Sequence, residues 1–350
     1  CQQIGGYYIK IVYPSKIDTI NLFSCKFIEL PFESMTKMAP GILFQFGDSS
    51  FSPSKFIFNG CTFERFTSTI SGGGYHVGYD DYTNGFEFHF IDCDFVDNEA
   101  NGDGGGLAIK TSKAFTIDGC KFTNNRCSGK GGAIYIESEL DPTIENCQFT
   151  SNTAEDDGGA IYFNIDNDSP LLDLDNCTFS NSKSNLESSY VVKFVKGFMN
   201  AKSCVFSFDS NSAENSRHAL YLGEMGFTID RCQFIPTYSS FKFIQSADSS
   251  EPTVTLANSI FDDCGGIDFR CFSLSINSNT ELIFGNNIFR NMKANGEKSY
   301  FGLIDLNNKN EFILDNISFI DNKCNTIYGG GTGLLVLNVD KMKFIDCSFI

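Results

Sequence analysis

The chain has 350 residues, a formal net charge of −17, 41% hydrophobic residues, 37 Phe, 32 Gly, 14 Cys and no Trp. The acidic balance argues against nucleic acid and against charge-driven binding to anionic membranes, because both need basic patches. The hydrophobic fraction supports a large core rather than disorder, and no run approaches the ~18 apolar residues of a membrane span.

The first residue is not Met and no signal peptide follows, which predicts a mature chain or a fragment. No long 3.6-residue apolar period stands out, so little helix is expected.

The units begin on an apolar-x-apolar strand, set after glycines. In chain order the pairs are Ile9/Ile11, Phe44/Phe46, Tyr75/Val77, Leu107/Ile109, Ile134/Ile136, Ile161/Phe163, Val192/Phe194, Leu220/Leu222, Phe241/Phe243, Ile267/Phe269, Ile304/Leu306 and Leu335/Leu337. A second strand follows, and its apolar residue lies five before a recurrent Phe: Leu22, Phe58, Phe90, Ile117, Ile144, Leu174, Ala201, Ile229, Leu256, Phe284, Leu314 and Phe344. Three before the Phe stand Gly, Asp, Ser and five times Asn, with Arg231 once, types that suit a sharp turn with left-handed backbone.

The third strand carries the Phe itself: Phe27, Phe63, Phe95, Phe122, Phe149, Phe179, Phe206, Phe234, Phe261, Phe289, Phe319 and Phe349. Two before it sits Cys in nine units, and Ser259, Asn287 or Ile317 in the others. The spacings of the Phe series are 36, 32, 27, 27, 30, 27, 28, 27, 28, 30 and 30. Steps of two, then three, then two describe strand, corner, strand, each with one buried face.

Three short strands per repeat of this length predict an all-β, right-handed parallel β-helix of about twelve rungs. At about 4.8 Å per rung that is a rod of roughly 58 Å. The leucine-rich-repeat alternative lacks its L-x-x-L-x-L-x-x-N signature. Residues 1–350 read as one β-helix without a linker, with longer loops absorbed between 28 and 95. Residue 350 follows the last stacked Phe directly, so the chain is expected to be part of a longer one or a unit that stacks end to end.

Gly131-Gly132-Ala133-Ile134 and Gly158-Gly159-Ala160-Ile161 alternate with Phe-x-x-Asn at Phe95–Asn98, Phe122–Asn125, Phe149–Asn152 and Phe319–Asn322. GGA[ILV] alternating with FxxN resembles the polymorphic outer membrane protein repeat of chlamydial adhesins, and similar repeats occur in trichomonad surface proteins. The tight match covers about 93–163 and a looser one the whole chain. The resemblance implies a β-helical passenger exposed on a cell surface, with adhesion as its usual role. The strict GGAI occurs in only two units, and nothing resembles the C-terminal membrane barrel of the bacterial members. Read from the residues alone, Phe is core, Asn closes a turn and the glycines admit a tight bend.

Enzymes with this fold carry acidic residues on the outward face of one strand ladder. The outward residues of the first strand are Lys10, Gln45, His76, Ala108, Tyr135, Tyr162, Lys193, Tyr221, Lys242, Asp268, Asp305 and Val336. Asp268 and Asp305, one rung apart, are the catalytic candidates, at a separation suited to a retaining glycosidase; the competing reading is a rung-to-rung surface ion pair. Tyr135, Tyr162 and Tyr221 form an aromatic row that either binds sugars or a partner or stabilises its own sheet.

"DNEANG" at 97–102 starts like an EF-hand but fails at its third and twelfth positions. No C-x-x-C, P-loop or G-x-S-x-G occurs, so no cofactor is expected and no metal site is assigned; a loose Ca²⁺ site in "DDYTNG" (80–85), "AEDDGG" (154–159) or "DNEANGDGG" (97–105) is the open alternative. The sequons Asn176-Cys-Thr and Asn316-Ile-Ser fall in the corner turn, while Asn167-Asp-Ser is followed by Pro170.

These readings converge on a non-enzymatic, extracellular or cell-surface protein, adhesin-like or a structural fibre element. Its expected partner is a surface protein or glycan of a host or neighbouring cell, or a second copy end to end. A carbohydrate-active enzyme, lyase or hydrolase, is the alternative.

Overall fold

The computed structural model describes residues 7–11, 19–28, 42–46, 55–77, 87–111, 115–138, 140–164, 171–185, 189–195, 198–208, 217–222, 226–236, 242–246, 253–263, 265–267, 270–276, 279–295, 300–309, 311–325 and 334–350. Among them every regular element is a β-strand. The chain divides into two compact units, residues 1–173 with 182–193, and residues 174–181 with 194–350.

One turn of the first unit shows the plan. Ile134–Ser138 alternates buried and half-buried residues, and Thr143–Glu145 follows. Asn146 turns a corner at φ 54°. Gln148–Thr150 sends Phe149 inward, Ser151 makes a second corner at φ 57°, and Thr153–Ala154 adds a short fourth strand. Each strand pairs in parallel with its equivalent in the neighbouring turn, as Phe122 with Phe149 and Ile134 with Ile161.

The stacked columns match the repeat. In the first unit the rings of Phe63, Phe95, Phe122 and Phe149 lie 4.6, 4.7 and 5.1 Å apart and within 5° of parallel. In the second unit Phe179, Phe206, Phe234, Phe261 and Phe289 repeat this at 4.8–5.2 Å. The corner three residues before each Phe has positive φ in every repeat, from 48° at Asp346 to 65° at Gly119. Glycine and asparagine take this conformation readily; Arg231, at φ 56°, carries a penalty of about 1–2 kcal/mol.

Three features depart from the sequence reading. The fourth strand was not expected. In the first unit it stacks Ala100, Cys127 and Ala154 in a small buried column. In the second unit Gly265–Ile267 occupies that role, pairing with Lys293–Asn295. The opening strand there is therefore Arg270–Ser275, not the Ile267/Phe269 pair. The glycine-then-apolar rule misfires because Gly265-Gly266-Ile267 has the same pattern as an opening strand. Finally, Lys242–Ser246 is shifted: Leu220 faces Ile244, and Tyr221 faces Gln245 rather than Lys242.

The Asn of Phe-x-x-Asn does not sit at the surface. Asn98, Asn125 and Asn152 are buried and form an amide ladder. Asn125 Nδ2 donates to Asn152 Oδ1 (3.0 Å) and to the Phe95 carbonyl (2.9 Å), while its Oδ1 accepts from Asn98 Nδ2 and the Asn98 backbone N–H. The residue ahead of it, such as Asn124 at φ 55°, makes the turn.

The column of cysteines is also polar in function. Cys120 Sγ donates to the Phe90 and Asp118 carbonyls and accepts the Cys93 backbone N–H at 3.4 Å. Where Cys gives way to Ser259 and Asn287, the new side chain accepts the same backbone N–H: Cys232 to Ser259 Oγ (3.2 Å) and Ser259 to Asn287 Oδ1 (3.0 Å). The ten cysteines with described side chains are free thiols. Burial pushes Cys61 up to about 11 and Cys127 up to about 12. The side chains of Cys1, Cys264, Cys271 and Cys324 lie outside those described.

The glycines before the opening strands explain their own identity. Gly131 has φ 72°, and a Cβ on Gly132 would lie 2.2 Å from the Gly159 carbonyl of the next turn. Gly132→Ala is expected to destabilise by about 3 kcal/mol or more. Gly285→Ala, with its nearest neighbour at 3.4 Å, should stay within about 0.5 kcal/mol of wild type. Urea denaturation of both variants checks this; a neutral Gly132→Ala would sink the close-approach account.

Candidate functional site

The opening sheet of the first unit brings one outward residue per turn into a row. His76 pairs with Ala108, Ala108 with Tyr135 and Tyr135 with Tyr162. The row is fixed by the glycine turns ahead of it, where Gly131, Gly132 and Ala133 donate to Asp157, Gly158 and Ala160 carbonyls of the following turn.

The Tyr135 and Tyr162 rings are parallel to within 9°, with centroids 5.8 Å apart. Lys130 Nζ sits 4.7 Å from the Tyr162 centroid, a cation–π contact. Tyr162 is only 8% exposed, so its faces are taken by the protein itself. Tyr135 is half-buried, and its hydroxyl donates to Glu137 Oε2 at 3.3 Å. Burial, with Glu137 beside it, holds its phenol well above the usual value. Glu137 also pairs with Lys110 at 3.1 Å. Tyr135 and the Lys110–Glu137 pair are therefore accessible on this face. Tyr221 lies in the second unit, at the register position facing Gln245.

The acidic stretches flanking this face build turns. Asp157 Oδ1 accepts from the Gly158 and Tyr190 backbone N–H groups, and its Oδ2 pairs with Lys193 at 2.9 Å. Asp103 Oδ1 accepts the Lys130 backbone N–H. Glu155 pairs with Arg126. In the EF-hand-like stretch, Asp97 is a corner at φ 54° and Asn98 is turned inward. No cluster of metal-ligating side chains occurs among the described residues; the loop 80–85 lies outside them.

The register at Asp305 differs from the one the spacing suggested. Asp305 faces Ser275 in one neighbouring turn and Leu337, not Val336, in the other. Asn338 Nδ2 donates to Asp305 Oδ1 at 2.7 Å. Asp268 lies outside the described residues, and the position opposite Asp305 that it was expected to hold is taken by Ser275. The cause is the shifted opening strand, Arg270–Ser275.

His76 is the other titratable group of the row, and its chemistry was not evident in the sequence. Burial, with Lys110 nearby, pulls it down to about 4. An unfolded His titrates near 6.5. The unfolded chain thus binds the extra proton first, so this contribution is intact above about pH 6.5 and is lost as pH falls toward 4. Stability at pH 5 should be about 2 kcal/mol below that at pH 7.5 from this group. Urea unfolding at both pH values should show the drop in wild type and a smaller one in His76→Gln; equal drops would remove His76 as the cause.

A family model described as a right-handed β-helix region matches residues 40–234, more than half of the chain. The match holds about seven turns, those of Phe63 through Phe234, against the twelve units that the sequence spacing predicts. No curated protein matches the chain, and no solved structure does.

Proposed function

The chain belongs to the family of right-handed β-helix proteins, and on that footing we propose that it is a non-enzymatic, extracellular surface protein that binds a protein or glycan of another cell. The likeness of its GGA[ILV] and FxxN phrases to the polymorphic outer membrane protein repeat supports an adhesin-like role over a purely structural one. The observation that carries the non-enzymatic part is the register at Asp305, which faces Ser275 and Leu337 rather than a second carboxylate. Hydrogen bonds from Lys26, Lys55 and Lys343 hold Glu64, Glu87 and Glu311 below the usual carboxylate range, and Asn185 with Arg126 does so for Glu155. General-acid catalysis needs the reverse, a carboxyl raised toward neutrality. These side chains tie turn to turn.

Binding of the whole chain to cells and to a glycan array tests the reading. Replacing Tyr135, Lys110 and Glu137 together by Ala should weaken binding at least tenfold while circular dichroism is unchanged. Release of reducing ends or unsaturated sugars from a polysaccharide, lost in Asp305→Asn, would replace this reading with the enzymatic one.

A further inference from the structure

The corner before the Phe strand holds two sequons, and their setting differs from that of a buried Asn. Asn176 and Asn316 are exposed at φ 52° and 50°, while the residues that follow them, Cys177 and Ile317, are fully buried. The hydroxyl residues two positions on, Thr178 and Ser318, begin the Phe strand and are half-buried on its outer side. The backbone therefore projects each Asn away from the core while anchoring the residue that follows it.

The corner also has the hydrogen-bonding capacity to accept a substituent. In the second unit it forms an exposed amide ladder: Asn316 Nδ2 donates to Asn286 Oδ1 (2.8 Å), Asn286 Nδ2 to Asn258 Oδ1 (2.9 Å) and Asn258 Nδ2 to Asp230 Oδ1 (2.6 Å). A primary amide carries two hydrogens. The bond to Asn286 uses one of them, and glycosylation removes only one.

We propose that Asn176 and Asn316 are N-glycan acceptors, and that both glycans stand on one corner of the second unit. In the transfer, the Asn amide nitrogen attacks C1 of the first sugar of a lipid-linked oligosaccharide. The new N–C1 bond forms as the C1–O bond to the lipid pyrophosphate breaks; the amide proton is lost and the pyrophosphoryl lipid leaves. The two acceptors are five turns apart, about 24 Å at the rung spacing. Sugars there screen that corner and leave the sheet faces for recognition. The inference shares with the surface reading only passage through a secretory compartment.

The experiment is translation of the full chain, behind an added secretory signal, into endoplasmic-reticulum microsomes, followed by peptide mapping. Two glycosylated peptides are expected, holding Asn176 and Asn316. N176Q and N316Q should each remove one, and T178A and S318A should do the same with the Asn retained. An unmodified Asn176 or Asn316 overturns the proposal. So does a glycosylated chain that loses the cooperative unfolding shown after enzymatic deglycosylation, because the folded corner would then not accommodate the sugar. The glycan map is read without any adhesion assay, so failure of the binding reading leaves this result standing, and the reverse.

Discussion

Truncating Phe122 to Ala is expected to cost about 3–5 kcal/mol, while Phe349→Ala should cost under about 1 kcal/mol. Phe122 is fully buried between Phe95 and Phe149, with ring centroids at 4.7 and 5.1 Å. Phe349 is 70% exposed and meets one stacked ring, Phe319, at 5.1 Å. The difference arises because a ring removed from the middle leaves a void walled on both sides, whereas one removed at an exposed position leaves solvent. In a repeat array the damage should be local, so the unfolding transition of Phe122→Ala should broaden or split rather than shift as a whole. Denaturation followed by circular dichroism measures both effects. Equal losses at the two positions would contradict a linear stack.

Replacing Asn125 by Leu should be as damaging, about 3–5 kcal/mol, although the number of side-chain heavy atoms is kept. The amide makes four hydrogen bonds inside the core. Leu leaves the Asn98 backbone N–H and Asn152 Oδ1 without that partner, and each buried orphan costs about 1–3 kcal/mol. Asn125→Ser should lose markedly less. Ser182 already fills the equivalent place one turn beyond Asn152, accepting the Asn152 N–H at 3.3 Å and reaching the Phe149 carbonyl at 3.5 Å. Hydrogen exchange at the Asn98 amide, alongside urea denaturation, separates the two variants. A Leu variant no worse than the Ser variant would mean that the ladder is ornamental to stability.

The columns were legible in the sequence because their residues repeat in type and spacing. Phe, the apolar residue five before it and the corner residue three before it all emerged from alignment of the units. The φ values of Asn146, Asn258 and Asn316 are those their types favour. The fourth strand was hidden because Thr153–Ala154 is two residues long and shows no period. The burial of Asn125 was not legible, because only the next turn, 27 residues on, reveals the partner that makes a buried amide tolerable. The candidate row was half legible. Pairing of Ala108, Tyr135 and Tyr162 followed from the repeat. That Lys130 covers Tyr162, and that Ser275 rather than Asp268 meets Asp305, depended on loop geometry and on where one strand begins.

The side-chain bonds between turns have a consequence for how the chain folds. Each joins residues one repeat apart, 27 residues for Asn98 with Asn125 and 28 for Asn258 with Asp230. Contacts one repeat apart are local compared with the distant pairings of a β-sandwich, and local contacts favour fast folding. Closing one more loop of this size carries the same entropy wherever it lies in the chain, since the penalty depends on loop length alone. A nascent chain can therefore add turns in the order they are synthesised, each new strand templated on the edge of the one before. Slow steps should follow repeats whose spacing stretches, such as the 36 residues from Phe27 to Phe63, where the edge of a completed turn waits longest for its partner.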